Sequence, residues 1–149
     1  MKTVRRAAIA AASLCLALAA PVAAQNALPM EQGDYVELSA ITIDDGHNLD
    51  YMNHLANNWR KGQEFAKSQG WISSYEVMVN AYPRKGEPDV YLIVRAPRLA
   101  DAAEDAKRDE AYRAYMQRTA AQLQAESGAR AKYRTLSGMM LLRELRFRK

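Results

Sequence analysis

Leu136–Phe147 reads LSGMMLLRELRF and Val90–Arg95 reads VYLIVR, two β-rich segments in which apolar residues follow one another directly. A strand that covers a core on one side and meets water on the other alternates apolar and polar residues. Successive side chains of a strand point to opposite faces, so the YLIV and MMLL runs are apolar on both. We therefore expect both faces of these strands to be covered.

Two further strands and two helical stretches are predicted around these segments. The strands are Tyr35–Ile43 (YVELSAITI) and Trp71–Tyr82 (WISSYEVMVNAY), with a Pro83–Pro88 turn before Val90. The first helix is predicted over about 48–69, with Gly70 as a left-handed cap. The second covers about 99–126, with a capping box at Asp101 and Glu104, a break near 107–109 and an end at Gly128.

The resulting order, β-α-β-β-α-β, predicts an α+β fold of ferredoxin-like type. Right-handed crossovers place both helices on one face of a four-stranded antiparallel sheet. No segment remains to cover the other face, and a second copy of the chain is the simplest cover. The sequence therefore predicts a homodimer that packs through the face without helices.

Residues 1–24 have the pattern of a secretory signal peptide. Lys2, Arg5 and Arg6 precede an apolar run, and Val22 and Ala24 are the small residues before a cleavage site. The run is shorter than the roughly 20 residues that cross a bilayer, so a membrane anchor is disfavoured. We expect export to the periplasm or beyond, with 25–33 as a flexible lead-in and 34–149 as one domain.

Removing the signal changes what the composition implies. The whole chain has 21 Lys and Arg against 17 Asp and Glu, a net charge of +4. Loss of Lys2, Arg5 and Arg6 leaves 18 basic residues against 17 acidic ones, so nucleic acid is not an expected partner. The single cysteine, Cys15, also leaves, which excludes disulfides, thiolate metal sites and cysteine nucleophiles from the mature chain.

Polar and aromatic side chains on otherwise apolar elements are the candidates for a site. One stripe of the first helix, beside its core face, contains His47, Tyr51, His54 and Asn58. This stripe is either the wall of a cleft, with His54 as an acid or base, or a helix edge against a neighbour. The catalytic candidates are His54 and Tyr75, and the ligand-binding candidates are Tyr51, His54, Trp59, Tyr75, Tyr91 and Arg143.

The remaining charged and metal-binding residue types have simpler interpretations. Arg143 needs a partner among its apolar neighbours, and Glu37 or Glu76 across the sheet could pair with it. Such polar groups either belong to an apolar cavity for a small amphipathic ligand or form an interface ion pair that sets the dimer register. Two histidines seven residues apart on a helix lie about 10 Å apart, too far to share one metal ion. No metal or cofactor is therefore expected. A basic region is predicted at Arg130, Lys132, Arg134, Arg146, Arg148 and Lys149, either as a solvated tail and strand edge or as a contact with anionic envelope surfaces.

This element order, with two-sided apolar strands over 35–148, resembles the dimeric α/β-barrel superfamily. The first-helix sequence DGHNLDYMNHLANNW is similar to that of exported bacterial members without an assigned activity. Haem-degrading and monooxygenase members use an Asn–Trp pair from separate elements, whereas Asn58 and Trp59 are neighbours on one helix here. Chlorite dismutase and dye-peroxidase members need a haem-ligating histidine in the later helix, and this chain has none there. The resemblance therefore implies the fold and the dimer without haem.

Two functions are compatible with these residues, and a purely structural dimer without a ligand is a third possibility. The first is an exported homodimer that binds a small, partly apolar molecule, or an envelope partner, without catalysis. The alternative is a cofactor-independent oxygenase or isomerase acting on an aromatic or polyketide-like substrate. An enzyme would need His54 at the wall of a cavity and within hydrogen-bonding reach of a second polar group.

Overall fold

The computed structural model describes residues 28–148, so the predicted signal peptide lies outside the described residues. The strands are β1 (Met30–Ile43), β2 (Ser74–Val79), β3 (Val90–Ala96) and β4 (Arg134–Phe147). The α-helices are α1 (Asn48–His54), α2 (Arg60–Ser68), α3 (Ala102–Met116) and α4 (Ala120–Arg130), and one turn of π-helix (Leu55–Trp59) joins α1 to α2.

The four strands form one antiparallel sheet in the order β2-β3-β1-β4. The α+β class and the four-stranded antiparallel sheet are thus confirmed. In this order β1 and β3 are the central strands, and β2 and β4 are the edges. The central position of β3 agrees with its apolar run, since Val90, Leu92 and Ile93 are all buried. None of the described helices is long and apolar enough to cross a membrane.

The core lies between the sheet and α1. Ile41, Val90 and Leu92 stand on the same face of β1 and β3, and they pack against Tyr51 and Leu55. Burying such side chains stabilises the fold by about 1.5–3 kcal/mol each. This packing holds the α1–α2 segment against the sheet, and the candidate site lies at its border.

Helix boundaries depart from the predictions at two places. The later helical stretch breaks at Gln117, in the left-handed conformation at φ 54°, and the predicted break near 107–109 is wrong. Thr119 and Gln122 begin α4 with a complete capping box, and α4 runs past Gly128 to Arg130. The predicted cap of the earlier helix at Gly70 is confirmed by its φ of 70°.

Edge strand β4 exposes apolar side chains on both faces. Met140 and Leu142 pair with Leu38 and Val36 of β1. Leu38 and Val36 lie on the face opposite to Ile41, which packs on α1, so Met140 and Leu142 also point away from α1. Met140 is 51% exposed and Leu142 is 47% exposed. On the helix-bearing face of β4, the exposed apolar residues are Leu136, Met139, Leu141, Leu145 and Phe147. Unlike β3, this strand finds no full cover among the described residues of one chain.

Candidate functional site

The π-helical turn positions the aromatic residues of the first helix. The N–H of Arg60 donates to the carbonyl of Leu55, five residues back, so this turn contains one residue more than an α-helical turn. The extra residue brings Trp59, and not Asn58, round to the side of Tyr51 and His54. Trp59 is half-buried and Asn58 is exposed. The predicted stripe is therefore correct for Tyr51 and His54 and wrong for Asn58.

Tyr51, His54 and Trp59 line one cavity between this helical segment and the sheet. We call it the helix–sheet cavity, and its volume is about 220 Å³. Tyr51 is 2% exposed, and its ring centroid lies 5.9 Å from that of His54. The other lining residues are Ser39, Ile41, Leu92, Arg130, Arg134 and Leu136. The cavity thus combines apolar and aromatic walls with a few polar groups, as small-molecule sites do.

Two arginines at the cavity wall were not predicted as site residues. Arg130 ends α4 and Arg134 begins β4, so the short connection between the two elements brings both side chains to the cavity. The Nε atom of each is buried and has no hydrogen-bond partner. Arg130 and Arg134 are therefore half-buried and depart from the predicted solvated region, whereas Lys132 between them is exposed.

The electrostatics of the cavity keep His54 neutral. Burial lowers the pKa of His54 from its ordinary value of 6.5 to about 4; the positive charges of Arg130 and Arg134 also lower it, and Glu126 partly opposes them. Burial raises the pKa of Tyr51, and the positive charges of the same two arginines partly oppose this rise. The uncharged imidazole and phenol leave the guanidinium groups as the charges of the cavity.

This lowered pKa makes stability depend on pH. Between pH 6.5 and pH 4 the unfolded chain binds a proton at His54 that the folded chain excludes. Stability is therefore expected to fall as the pH drops through this window, by on the order of 1–2 kcal/mol after discounting for the partial exposure of His54. Urea unfolding at pH 7 and pH 4.5 measures this loss of stability. The loss in H54Q is expected to be smaller than that of the wild type by on the order of 1–2 kcal/mol, because the variant lacks the titrating imidazole.

His47 provides the matched control for this titration. It is largely exposed and its Nδ1 lies 2.9 Å from Asp50 Oδ2, away from the cavity. H47Q retains His54 and is therefore expected to retain the wild-type dependence on pH. Equal losses for wild type and H54Q would contradict the burial of a neutral imidazole.

The other predicted site residues lie outside this cavity. Tyr75 packs edge-on against Trp59 at 5.3 Å, and its hydroxyl donates to the carboxylate of Glu64. This bond raises the pKa of Tyr75. Tyr91 pairs with Ala40 and Met78 on the opposite face of the sheet. The structure thus brings Tyr51, His54 and Trp59 together at one cavity. Tyr75 contacts only Trp59 of these three, and Tyr91 lies on the other face of the sheet.

Arg143 also lies elsewhere, and its predicted ion pair is not formed. Its guanidinium group stacks on the ring of Tyr35 at 3.8 Å. Glu76 instead lies 3.7 Å from Arg95 on the opposite face. No acid among residues 28–148 is within ion-pair distance of Arg143, and its Nε and Nη1 atoms are buried without partners. The prediction that Glu37 or Glu76 pairs with Arg143 is therefore wrong within one chain.

A second hollow, of about 390 Å³, lies at the start of α3. Its lining includes Tyr35, Trp71, Arg98, Asp105, Arg108 and Leu141. Both of its arginines bind Glu104, with N–O distances of 2.5 Å, and this lowers the pKa of Glu104 to about 2. Because Glu104 already neutralises both arginines, a ligand anion is needed less in this hollow than in the helix–sheet cavity.

Comparisons with known proteins add little to this geometry. No protein-family model and no curated protein matches the chain. Among solved structures, HapK from Hahella chejuensis is similar at a TM-score of 0.48. The identity is 7%, over 74% of this chain and 91% of HapK. Similarity at this level assigns no family and no function.

Proposed function

We propose that this protein is an exported homodimer that binds a small, partly apolar molecule in the helix–sheet cavity without catalysis. The cavity carries the proposal: it is an open pocket lined by the aromatic side chains of Tyr51 and Trp59, and by two arginines whose Nε atoms are buried without partners. A pocket of this kind holds a ligand through apolar burial and orients it through a few polar contacts. Its volume of about 220 Å³ is that of a one-ring molecule, since a cavity of roughly 150 Å³ accommodates benzene.

We also propose that the fold is the ferredoxin-like type of the dimeric α/β-barrel superfamily. The order β2-β3-β1-β4 supports this, together with helical connections from β1 to β2 and from β3 to β4. The exposed apolar side chains of β4 support the dimer, because an isolated edge strand of this composition invites association. Packing through the face of Met78, Met140 and Leu142 would bury them against the same face of a second copy.

A cofactor-independent enzyme is the second candidate, and the position of His54 favours it. A neutral imidazole at a cavity wall can accept a proton, and a guanidinium group beside it can stabilise the anion that forms. His54 thus meets the first part of the requirement for catalysis, a place at a cavity wall, whereas no hydrogen bond joins its imidazole to a second polar group among residues 28–148. Tyr75 fits this role less well, since its hydroxyl is already bonded to Glu64.

Native mass spectrometry of the exported protein tests the proposed function. The chain is expressed with its signal and purified from the periplasm under non-denaturing conditions. We expect a mature chain that begins at Gln25, in a dimer with added mass from a co-purified small molecule. A dimer that stays bare, even after incubation with an extract of small molecules, would contradict ligand binding.

The variant H54N, measured in the same way, separates the two candidate functions. A binding protein is expected to carry the same ligand mass in wild type and variant, because His54 is one wall contact among several. An enzyme that loses its proton acceptor instead accumulates substrate, so the molecule bound to the variant differs from that bound to the wild type. An oxygenase changes the bound mass, whereas the substrate and product of an isomerase have equal masses and are separated by chromatography of the released molecules. The same molecule from both proteins would therefore contradict the enzyme, and different molecules would contradict binding without catalysis.

A further inference from the structure

Buried guanidinium N–H groups without acceptors identify what the helix–sheet cavity lacks. The Nε atoms of Arg130 and Arg134 are shielded from solvent and have no hydrogen-bond partner among residues 28–148. A buried charged donor without an acceptor is unfavourable, and folded proteins almost always supply an acceptor from protein, water or ligand. Both of these atoms belong to residues that line the same cavity.

No carboxylate of the described chain neutralises these two arginines. Glu126 is the acid whose charge raises the pKa of His54, and its Oε1 atom lies 2.9 Å from Nε of Arg118. Neither Arg130 nor Arg134 forms an ion pair with a described residue, whereas Arg84, Arg98, Arg108 and Arg118 all do. Two positive charges therefore face a cavity whose other walls are aromatic, apolar or uncharged.

From this arrangement we infer that the ligand is a small organic anion, a one-ring carboxylate, whose charged group binds Arg130 and Arg134 and whose ring packs between Tyr51, Trp59 and Leu92. The inference rests on the proposed function, because it assigns a chemical class to the ligand of that cavity. Arginine suits this role, since its planar fork of donors matches the geometry of a carboxylate. The aromatic and aliphatic walls select a ring over a bare inorganic or acetate-like anion.

Titration with three probes separates the contributions of charge and ring. Benzoate has both, benzamide has the ring without the charge, and acetate has the charge without the ring. Trp59 lines the cavity, and the W71F variant leaves it as the only tryptophan, so its fluorescence reports on the site. We expect benzoate to bind at least tenfold more tightly than benzamide or acetate.

Variants of the arginines test the contacts themselves. In the W71F background, R130Q and R134Q are each expected to weaken benzoate binding by about tenfold or more and to leave benzamide unchanged. R134K retains the charge without the bidentate fork, and its affinity for benzoate is expected to lie between that of the W71F protein and that of R134Q. The matched control is R84Q, which removes an exposed arginine from a distant turn and is expected to have no effect.

Each pattern of results decides between the inference and the function on which it rests. Benzamide binding as tight as benzoate, with no effect of R130Q or R134Q, would overturn the anion and leave a ligand-binding cavity. Acetate binding as tight as benzoate would overturn the ring. No Trp59 response to any of the probes up to millimolar concentration would overturn both the inference and the proposed function.

Discussion

Replacing Leu142 by Asp is expected to convert the dimer into a monomer. Leu142 points away from α1 on edge strand β4 and is 47% exposed in the single chain, so Asp costs little in the monomer. In the proposed dimer the same carboxylate enters an apolar interface without a partner, and two-fold symmetry introduces it twice. We expect the dissociation constant of the dimer to rise at least 100-fold, as measured by analytical ultracentrifugation across protein concentrations.

Leu49 provides the matched control for this substitution. It is 72% exposed in the first turn of α1, where an acidic residue is favoured by the helix dipole. L49D is therefore expected to remain dimeric, while M140D, on the same face as Leu142, is expected to dissociate. A wild-type monomer would contradict the homodimer, and a dimeric L142D would place the interface elsewhere on the chain.

The α+β class, the central strand and several helix ends could be predicted because their signals are local. The two-sided apolar run of Val90–Arg95 is typical of a central strand, and Gly70 supplies the left-handed cap that ends the first helical segment. Asp101 accepts from the N–H of Glu104, as the capping pattern predicts. The break between α3 and α4 was also readable, since Thr119 and Gln122 have the spacing of a capping box.

The candidate site was only half predictable, because part of it depends on tertiary contacts. Tyr51 and His54 share a helix face and could be found from periodicity. Trp59 was also among the binding candidates, but its position beside Tyr51 and His54 depends on the π-helical turn, which no propensity of LANNW specifies. Arg130 and Arg134 resemble solvated residues in the sequence, and only the docking of α4 and β4 beside α1 makes them cavity residues. The partner of Arg143 could not be deduced from one chain for a similar reason.

Replacing Gly62 by Leu is expected to destabilise the fold, by about 2–3 kcal/mol, because the new side chain would overlap the ring of Tyr112 on α3. Gly62 is buried in α2, and a Cβ atom at this position would lie 2.9 Å from the ring and from the hydroxyl oxygen of Tyr112 on α3. Nearby, Phe65 stacks on Tyr115 at 4.3 Å, so the contact surface is rigid and aromatic. Thermal or urea unfolding measures the loss.

Gly128 supplies a control of the same substitution in a different environment. It lies within α4, and a Cβ atom there would meet no atom within 4 Å. G128L is therefore expected to stabilise slightly, by up to about 1 kcal/mol, since glycine is a poor helix former. The double variant G62L/Y112A is expected to recover part of the loss, because removal of the ring opens space for Leu. If G62L and G128L were equally stable, the close approach of α2 and α3 would be wrong. Since α2 continues directly from the π-helical turn, the position of Trp59 in the cavity would then lose its support.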